Sequence, residues 1–250
     1  MDLSRLNKEQ QEAVKHMEGP LLILAGAGSG KTTMMTHRIA YMLEKGVSPY
    51  NILAVTFTNK AAGEMKDRIE SLTGGTRGMW VMTFHAMCVR ILRNHGEVLG
   101  FKNGFSIYDE SDKKALLKRI VKDLKIDEKI YPVSYLGSVI SSCKEAEEDP
   151  DDYIENNSMN FKAETVAKVY ARYMEDLQQN NAMDFDDLLW NAVKLFEASS
   201  EVLSYYQERF KYIMVDEYQD TNYLQYKLIH ALAEKSHNLC VVGDDDQCIY

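Results

Sequence analysis

Short apolar runs alternate with amphipathic segments along the chain, and this alternation predicts an α/β fold. The runs are LLILA (21–25), ILAVTF (52–57), MWVMTF (79–84), YIMVDE (212–217) and LCVVGD (239–244). Each is followed by a polar or small-residue turn, as expected for strands that are buried on both faces of a parallel sheet. Helix-like repeats follow most of them, so we expect a parallel sheet wrapped by helices.

The stretch between the third and fourth runs has helical patterning. Apolar residues at helical spacing predict four helices, around 116–124, 136–143, 166–177 and 184–196. Asp184 opens the last of these segments, DFDDLLWNAVKLF, and is its expected N-cap. These helices indicate a subdomain inserted into the α/β domain.

The division of the chain follows from this insertion. We predict a discontinuous α/β domain over 1–106 and 186–250, and an all-helical subdomain over 107–185. Within the subdomain, EEDPDDYIENN (147–157) is expected to form a loop because of its proline and acidic residues.

Composition argues against a secreted or membrane protein. The chain has 250 residues, of which 45% are hydrophobic and 27% charged, as is ordinary for a globular protein. The first residues lack the apolar centre of a signal peptide, and no apolar run approaches the length of a membrane span. The 4 cysteines are scattered without a CxxC pair, which favours reduced thiols in a cytoplasmic protein.

The formal net charge of −9 argues mildly against a nucleic-acid partner. Screening weakens this argument, because a local basic patch decides binding at physiological salt. One such patch is a stripe of lysines at helical spacing, formed by Lys114, Lys118, Lys122 and Lys125. It is either a solvated helix face or a contact to duplex-DNA phosphates.

The stretch AGAGSGKT (25–32) predicts a phosphate-binding loop. Its glycines let backbone N–H groups point inward at phosphate oxygens, and the helix that follows adds positive potential. Lys31 can reach the β- and γ-phosphates, and the Thr32 hydroxyl can ligate Mg²⁺. Ala25 replaces the first glycine of the strict pattern. The candidate nucleotide-binding residues are Ala25, Gly26, Ala27, Gly28, Ser29, Gly30, Lys31, Thr32 and Thr33.

Two carboxylates end the fourth apolar run, in YIMVDEYQD (212–220). Ligands of parallel sheets lie at the carboxyl ends of the strands, so Asp216 is expected to face the metal bound by Thr32. Glu217 could accept a proton from an attacking water. After the fifth run, GDDDQ (243–247) supplies Gln247, whose amide can donate to a γ-phosphate. Taken alone, this last stretch is an acidic turn.

Six stretches, in this order and spacing, resemble the motifs of the UvrD/Rep/PcrA-type superfamily-one DNA helicases. They are LNKEQQEAV, AGAGSGKT, TFTNKAAGEM, TFHAMCVRIL, VDEYQDTN and GDDDQCIY. The resemblance covers the whole chain. It implies a RecA-like P-loop NTPase fold with an inserted all-helical subdomain, and an ATP-dependent 3′-to-5′ DNA helicase that acts in repair or replication.

The resemblance also implies roles that spacing alone does not give. Gln10 would read adenine and select ATP, which would bind with Mg²⁺ on Thr32 and Asp216. Lys31, Asp216, Glu217 and Gln247 would be the catalytic residues, and Gln247 would link the γ-phosphate to DNA. The residues implied along a single-stranded DNA track are Phe57, Asn59, Thr83, Phe84, His85 and Tyr250. From the sequence alone, burial in the sheet is the better interpretation of Phe57 and Phe84.

The implied partners are single-stranded DNA, DNA junctions, repair accessory proteins and a second motor domain downstream. Relatives supply transition-state arginines from that second domain. We therefore expect this chain to be the amino-terminal part of a longer protein, to bind ATP, to hydrolyse it very slowly and to unwind nothing by itself. Thr33 and Cys248 depart from the family pattern, which usually has Arg and Ser there.

Three other interpretations compete with this one. The helicase part of a RecB- or AddA-like helicase–nuclease shares the same motifs. A GTPase would need an Asp in a guanine-reading NKxD sequence, and NKAA (59–62) lacks it. A DNA-binding module with an inactive nucleotide site is disfavoured by the presence of Lys31, Asp216 and Glu217.

Overall fold

The computed structural model describes residues 2–26 and 28–244. They form two units, one made of the residues up to Met87 and those from Ser199 onward, the other of Cys88–Ala198. In chain order the strands are β1 Leu21–Leu24, β2 Ile52–Thr56, β3 Trp80–Thr83, β4 Ser106–Tyr108, β5 Ala182–Asp184, β6 Tyr212–Val215 and β7 Leu239–Gly243.

The helices of the described residues connect these strands. They are α1 Lys8–Lys15, α2 Lys31–Glu44, α3 Asn59–Thr73, α4 Phe84–His95, α5 Glu110–Asp123, α6 Val133–Glu145, α7 Pro150–Asn156, α8 Ala163–Gln179, α9 Phe185–Ala198, α10 Ser200–Arg209 and α11 Tyr223–Ala233. Three single turns of 3₁₀-helix lie at Pro49–Asn51, Gly96–Leu99 and Tyr218–Asp220.

The first unit contains a five-stranded sheet in the order β1-β7-β6-β2-β3, and every pairing in it is parallel. All five predicted strands are confirmed, and so is the predicted α/β class. Strand β2 is buried at every position, which explains its continuous apolar sequence. Because the sheet is parallel, the carboxyl ends of all five strands lie along one edge.

The N-terminal helix α1 is fastened to α2, the helix that begins at the phosphate loop. Arg38 of α2 is buried, and its guanidinium donates to the carbonyls of Ala13, His16 and Met17 at the end of α1. Burial lowers the pKa of Arg38, and the carbonyls give the buried cation the hydrogen bonds it requires. This anchor holds the helix that carries Gln10.

The second unit consists largely of helices, and it also contains β4 and β5, which pair in parallel. These two strands were not predicted, because three residues are too few to show a period. The predicted subdomain, 107–185, falls inside this unit, which extends further at both ends. Helix α9 belongs to the unit because it packs on α6 and on the turn Gly96–Leu99. The domain boundaries themselves stay a prediction.

The loop predicted at 147–157 is wrong, since α7 lies within it. Asp149 accepts hydrogen bonds from the N–H groups of Asp151 and Asp152, and Pro150 occupies the first helical position, where its missing N–H costs nothing. The same acidic and proline residues that suggested a loop therefore start a helix. The predicted cap at Asp184 is confirmed, because its carboxylate accepts the Asp187 N–H at 2.8 Å.

Among the described residues, no helix is both long and apolar enough to cross a membrane. Cys88, Cys143 and Cys240 are free, buried thiols. Burial raises the pKa of the Cys143 and Cys240 thiols to about 11.

Candidate nucleotide site and sheet edge

The phosphate loop leaves β1 and opens α2, as predicted. Gly28 and Gly30 have φ values of 75° and 88°, in the left-handed region that favours glycine. Gly30 is the N-cap of α2 and supplies no side-chain hydrogen bond to it. The first N–H groups of this 14-residue helix can therefore donate to an anion.

Gly30 also has little room for a side chain. An added Cβ would lie 3.1 Å from Nε2 of Gln10. Replacing Gly30 by Ala should therefore cost about 1–2 kcal/mol of stability or nucleotide affinity, because Ala is strained in the left-handed region and its Cβ would make this close contact.

Gly63→Ala is the matched control, because Gly63 lies inside α3 with nothing within 4 Å, and Ala is favoured there by about 1 kcal/mol. Thermal unfolding and Mg-ATP titration would measure both; equal behaviour of the two variants would contradict the expectation.

Lys31, the first residue of α2, lies among carboxylates. Its Nζ is 3.2 Å from Oδ2 of Asp244 and 3.6 Å from Oε2 of Glu217. Asp244 is buried just after β7, and its pairing with Lys31 was not foreseen from the sequence. A phosphate anion arriving at the loop would compete with these carboxylates for the ammonium group.

Thr32 and Asp216 meet as the sequence predicted. The Thr32 hydroxyl donates to Oδ2 of Asp216 at 3.2 Å. Asp216 directly follows β6 and continues the ladder with β2, because its N–H donates to the Val55 carbonyl. Burial, and next the charge of Glu217, raise the pKa of Asp216. A cation bound between the two oxygens would favour the ionised carboxylate.

Glu217 occupies a left-handed backbone position, with φ of 52°. Its N–H donates to Oδ1 of Asp216, and its carboxylate accepts the Gln219 amide at 2.7 Å. The side chain is 41% exposed, so water can reach it. Glu217 is thus far more exposed than Asp216, which is buried.

Gln10 lies beside the phosphate loop. Its Nε2 donates to the Ser29 carbonyl at 2.8 Å, and its Oε1 accepts the Asn7 N–H at 3.0 Å. The second contact is half of a capping box at the start of α1. Gln10 and Lys31 also line a groove of about 650 Å³ between α1 and β1.

One basic side chain at this site was missed by the sequence interpretation. Arg68 of α3 donates from Nη1 to the Thr33 hydroxyl at 3.4 Å. With Lys31, Thr32 and Glu217 it lines a cavity of about 320 Å³ over the phosphate loop. No local signal could have identified Arg68, because only the packing of α3 on α2 brings it there.

Except for Tyr250, the implied DNA residues lie at the carboxyl ends of β2 and β3, where Thr56 and Thr83 are paired. Phe57 is half-buried and its ring centroid lies 5.4 Å from that of Phe84. Phe84 is 2% exposed, so its ring supports Phe57 and does not face the solvent.

The other implied DNA residues differ in exposure. Thr83 is buried and caps α4 through a hydrogen bond from the Ala86 N–H. Asn59 is exposed and His85 is half-buried. The sheet thus places an accessible Phe57, Asn59 and His85 on the same edge as Asp216. Ala27, Gln247 and Tyr250 lie outside the described residues.

The fold and the site together define a class of protein. A parallel sheet carries a glycine-rich loop after its first strand, and a Lys-Thr pair there faces two carboxylates on another strand of the same sheet. This is the arrangement of a RecA-like P-loop nucleotide-binding domain.

Comparison with known proteins identifies the particular family. The family model described as "UvrD/REP helicase N-terminal domain" matches residues 6–250, and the chain belongs to this family. It is 52% identical, over 99% of its length, to "ATP-dependent DNA helicase PcrA" of Staphylococcus aureus (strain Mu50 / ATCC 700699). The same identity and coverage relate it to the protein of that name from Staphylococcus epidermidis (strain ATCC 12228 / FDA PCI 1200).

The chain spans about a third of the length of these relatives, since the match covers 34% of each. The comparison confirms the predicted resemblance. It does not favour the helicase–nuclease alternative, because both of these relatives are named as PcrA helicases.

Proposed function

We propose that this chain is the ATP-binding motor domain of an ATP-dependent, 3′-to-5′ DNA helicase and translocase. The observation that supports it most strongly is the contact of Thr32 with Asp216 beside Lys31 and Glu217. This constellation shares one sheet edge with the accessible Phe57. Nucleotide chemistry and DNA contact can therefore influence each other through the same strands.

ATP is the proposed nucleotide. The loop N–H groups and Lys31 bind its phosphates, and Gln10 recognises the base. After its contacts to Ser29 and Asn7, the Gln10 amide retains one N–H and one lone pair. Adenine presents a matching acceptor and donor on one edge, which supports selection of ATP over GTP.

Mg²⁺ is the proposed metal, held by Thr32 and Asp216. The fit rests on chemistry: a hydroxyl and a carboxylate are hard oxygen ligands, and Mg²⁺ usually takes only one or two protein ligands beside phosphates. Within residues 2–26 and 28–244 there is no group of three or more His, Cys, Asp or Glu that could hold a metal by itself. When bound, the ion would offset negative charge on the phosphates.

Glu217 is the proposed general base for the attacking water, since its carboxylate is accessible and lies 3.6 Å from Lys31. Arg68 faces the same cavity and would add positive charge beside the phosphates. Gln247 is proposed to sense the γ-phosphate, on the strength of the family motif.

Single-stranded DNA is the proposed ligand of Phe57, Asn59 and His85. Thr83 and Phe84 are proposed to support these residues, and Tyr250 is included because of the family motif. We also propose that the complete protein acts in the cytoplasm on DNA junctions, in repair or replication, with a second motor domain and repair accessory proteins as partners.

A binding experiment with oligothymidylate tests the DNA proposal. Phe57→Ala should lose about 1–3 kcal/mol of affinity, because a stacked base contributes that amount. Affinity of the unchanged chain should fall steeply between about 50 mM and 200 mM salt, as phosphate neutralisation requires.

Phe161→Ala is the matched control, since Phe161 is 84% exposed in the second unit and lies outside the proposed track. Equal losses in the two variants, or affinity that salt does not change, would contradict the proposal.

A further inference from the structure

Gln219 connects two parts of the nucleotide site that come from different strands. It lies in the 3₁₀ turn Tyr218–Asp220 that follows Glu217. Its Nε2 donates to Oε2 of Glu217 at 2.7 Å, and its Oε1 accepts the Asp244 N–H at 3.0 Å. One side-chain amide therefore bridges the end of β6 and the end of β7.

The end of β7 leaves room for this amide. A Cβ on Gly243 would lie 3.2 Å from Oε1 of Gln219 and 3.9 Å from Cβ of Tyr218. Gly243 is not in the left-handed region, so its backbone does not demand glycine. The absence of a side chain at position 243 instead allows Gln219 to lie against the strand.

The contact with Gln219 is the shortest one that the Glu217 carboxylate makes among the described residues. The backbone of Glu217 is left-handed and its side chain is 41% exposed. The Lys31 ammonium is more distant from the carboxylate, at 3.6 Å, and also lies 3.2 Å from Asp244. Without the amide, the carboxylate would be free to take other rotamers.

We propose that Gln219 is a positioning residue, which holds the Glu217 carboxylate for water activation and ties it to the carboxyl end of β7. The proposal rests on the proposed function, because it assumes that Glu217 is the base. A neutral amide suits this role: it donates to an ionised carboxylate without adding charge, and its oxygen accepts a main-chain N–H. A displacement of the Asp244 main chain would then move the base directly.

Single-turnover hydrolysis, with the chain in excess over Mg-ATP, tests this proposal. Gln219→Leu removes both hydrogen bonds and should slow phosphate release by about tenfold to a hundredfold, the usual effect of misplacing a catalytic group by roughly 1 Å. The Mg-ATP dissociation constant should stay within about twofold, because Gln219 does not line the phosphate cavity.

The double variant separates positioning from general structural damage. If Gln219 acts through Glu217, then Gln219→Leu should cause no further loss in a Glu217→Gln background. Gln225→Leu is the matched control, since the Gln225 side chain accepts the Asn222 N–H in the capping box at the start of α11; it should leave the rate unchanged. An unchanged rate in Gln219→Leu, or a further loss in the double variant, would overturn the proposal.

Failure of the proposed function would have a different signature. In that case the unchanged chain would release no more phosphate than Lys31→Ala. Crystal structures of the chain and of Gln219→Leu then decide the inference. Displacement of the Glu217 carboxylate with β7 in place supports it, and a carboxylate that keeps its position overturns it.

Discussion

Replacing Glu217 by Gln should slow phosphate release from Mg-ATP by about 10²–10⁴-fold, the usual contribution of a general base. Mg-ATP affinity should be nearly unchanged, because the amide has the shape of the carboxylate but cannot accept the proton. Lys31→Ala should behave differently and lose about 1.5–3 kcal/mol of Mg-ATP affinity, since it removes a charge-assisted contact to the phosphates.

Single-turnover rates and calorimetric dissociation constants would measure the two effects separately. Glu234→Gln is a matched control for the change of charge, because Glu234 lies exposed at the end of α11. The assignment of Glu217 as the base would be wrong if Glu217→Gln kept the full rate, or if its entire deficit were recovered by saturating Mg-ATP. The ratio of the Glu217→Gln rate to the rate of the unchanged chain is informative even though we expect slow turnover from the chain alone.

The sequence predicted those parts of the site that depend on local rules. Glycines followed by Lys31 and Thr32 determine a loop and a helix start within a few residues. Asp216 could be placed opposite Thr32 because both follow buried strands, and the carboxyl ends of parallel strands share an edge. The observed distance of 3.2 Å between their oxygens agrees with that reasoning.

Other parts of the site depend on tertiary packing and could not be predicted. Arg68 reaches Thr33 only because α3 packs on α2, and Asp244 reaches Lys31 only because β7 lies next to β1. Gln219 stood within a recognised motif, yet the sequence does not tell which way its side chain turns. Such residues are identified by interatomic distances in the folded structure, since their spacing along the chain does not predict which groups they contact.

The fold shows the same limit. The five strands of the main sheet were predictable because each is apolar along its length, whereas β4 and β5 are too short to show a pattern. Helix α7 was hidden by Pro150 and its acidic neighbours, which favour a loop and a helix start equally well. The second unit also holds a buried group of charges that apolar periodicity could not reveal.

This group has Lys144 of α6 at its centre. Lys144 is fully buried, and its Nζ lies 2.8 Å from Oδ2 of Asp184 and 2.7 Å from Oδ1 of Asp187. Tyr173 donates its hydroxyl to Asp184 at 2.9 Å. Burial works to lower the pKa of Lys144, but the two carboxylates outweigh it and raise that pKa above its ordinary value. Burial raises the pKa of Asp187, and Lys144 opposes that rise.

Lys144→Met should therefore destabilise the second unit by about 3–5 kcal/mol, because it removes the nearest cation from two buried carboxylates. Lys113, 4.0 Å from Asp184, would remain as a more distant partner of that carboxylate. In the variant, the pKa of Asp187 should rise further above its unfolded value, so that folding takes up a proton. Stability gained by protonation is present at low pH and lost as the pH rises, so the deficit should be greatest near about pH 8 and shrink toward about pH 5.

Trp190 of α9 reports this unit in a Trp80→Phe background, since the chain has only 2 tryptophans. Lys114→Met, an exposed lysine on α5, should change stability by less than about 0.5 kcal/mol. Adding Asp184→Asn and Asp187→Asn to Lys144→Met removes the unpaired charges, keeps an N-cap and should recover part of the loss. A Lys144→Met chain as stable as the Lys114→Met control at neutral pH would mean that the buried cation does not hold this unit together.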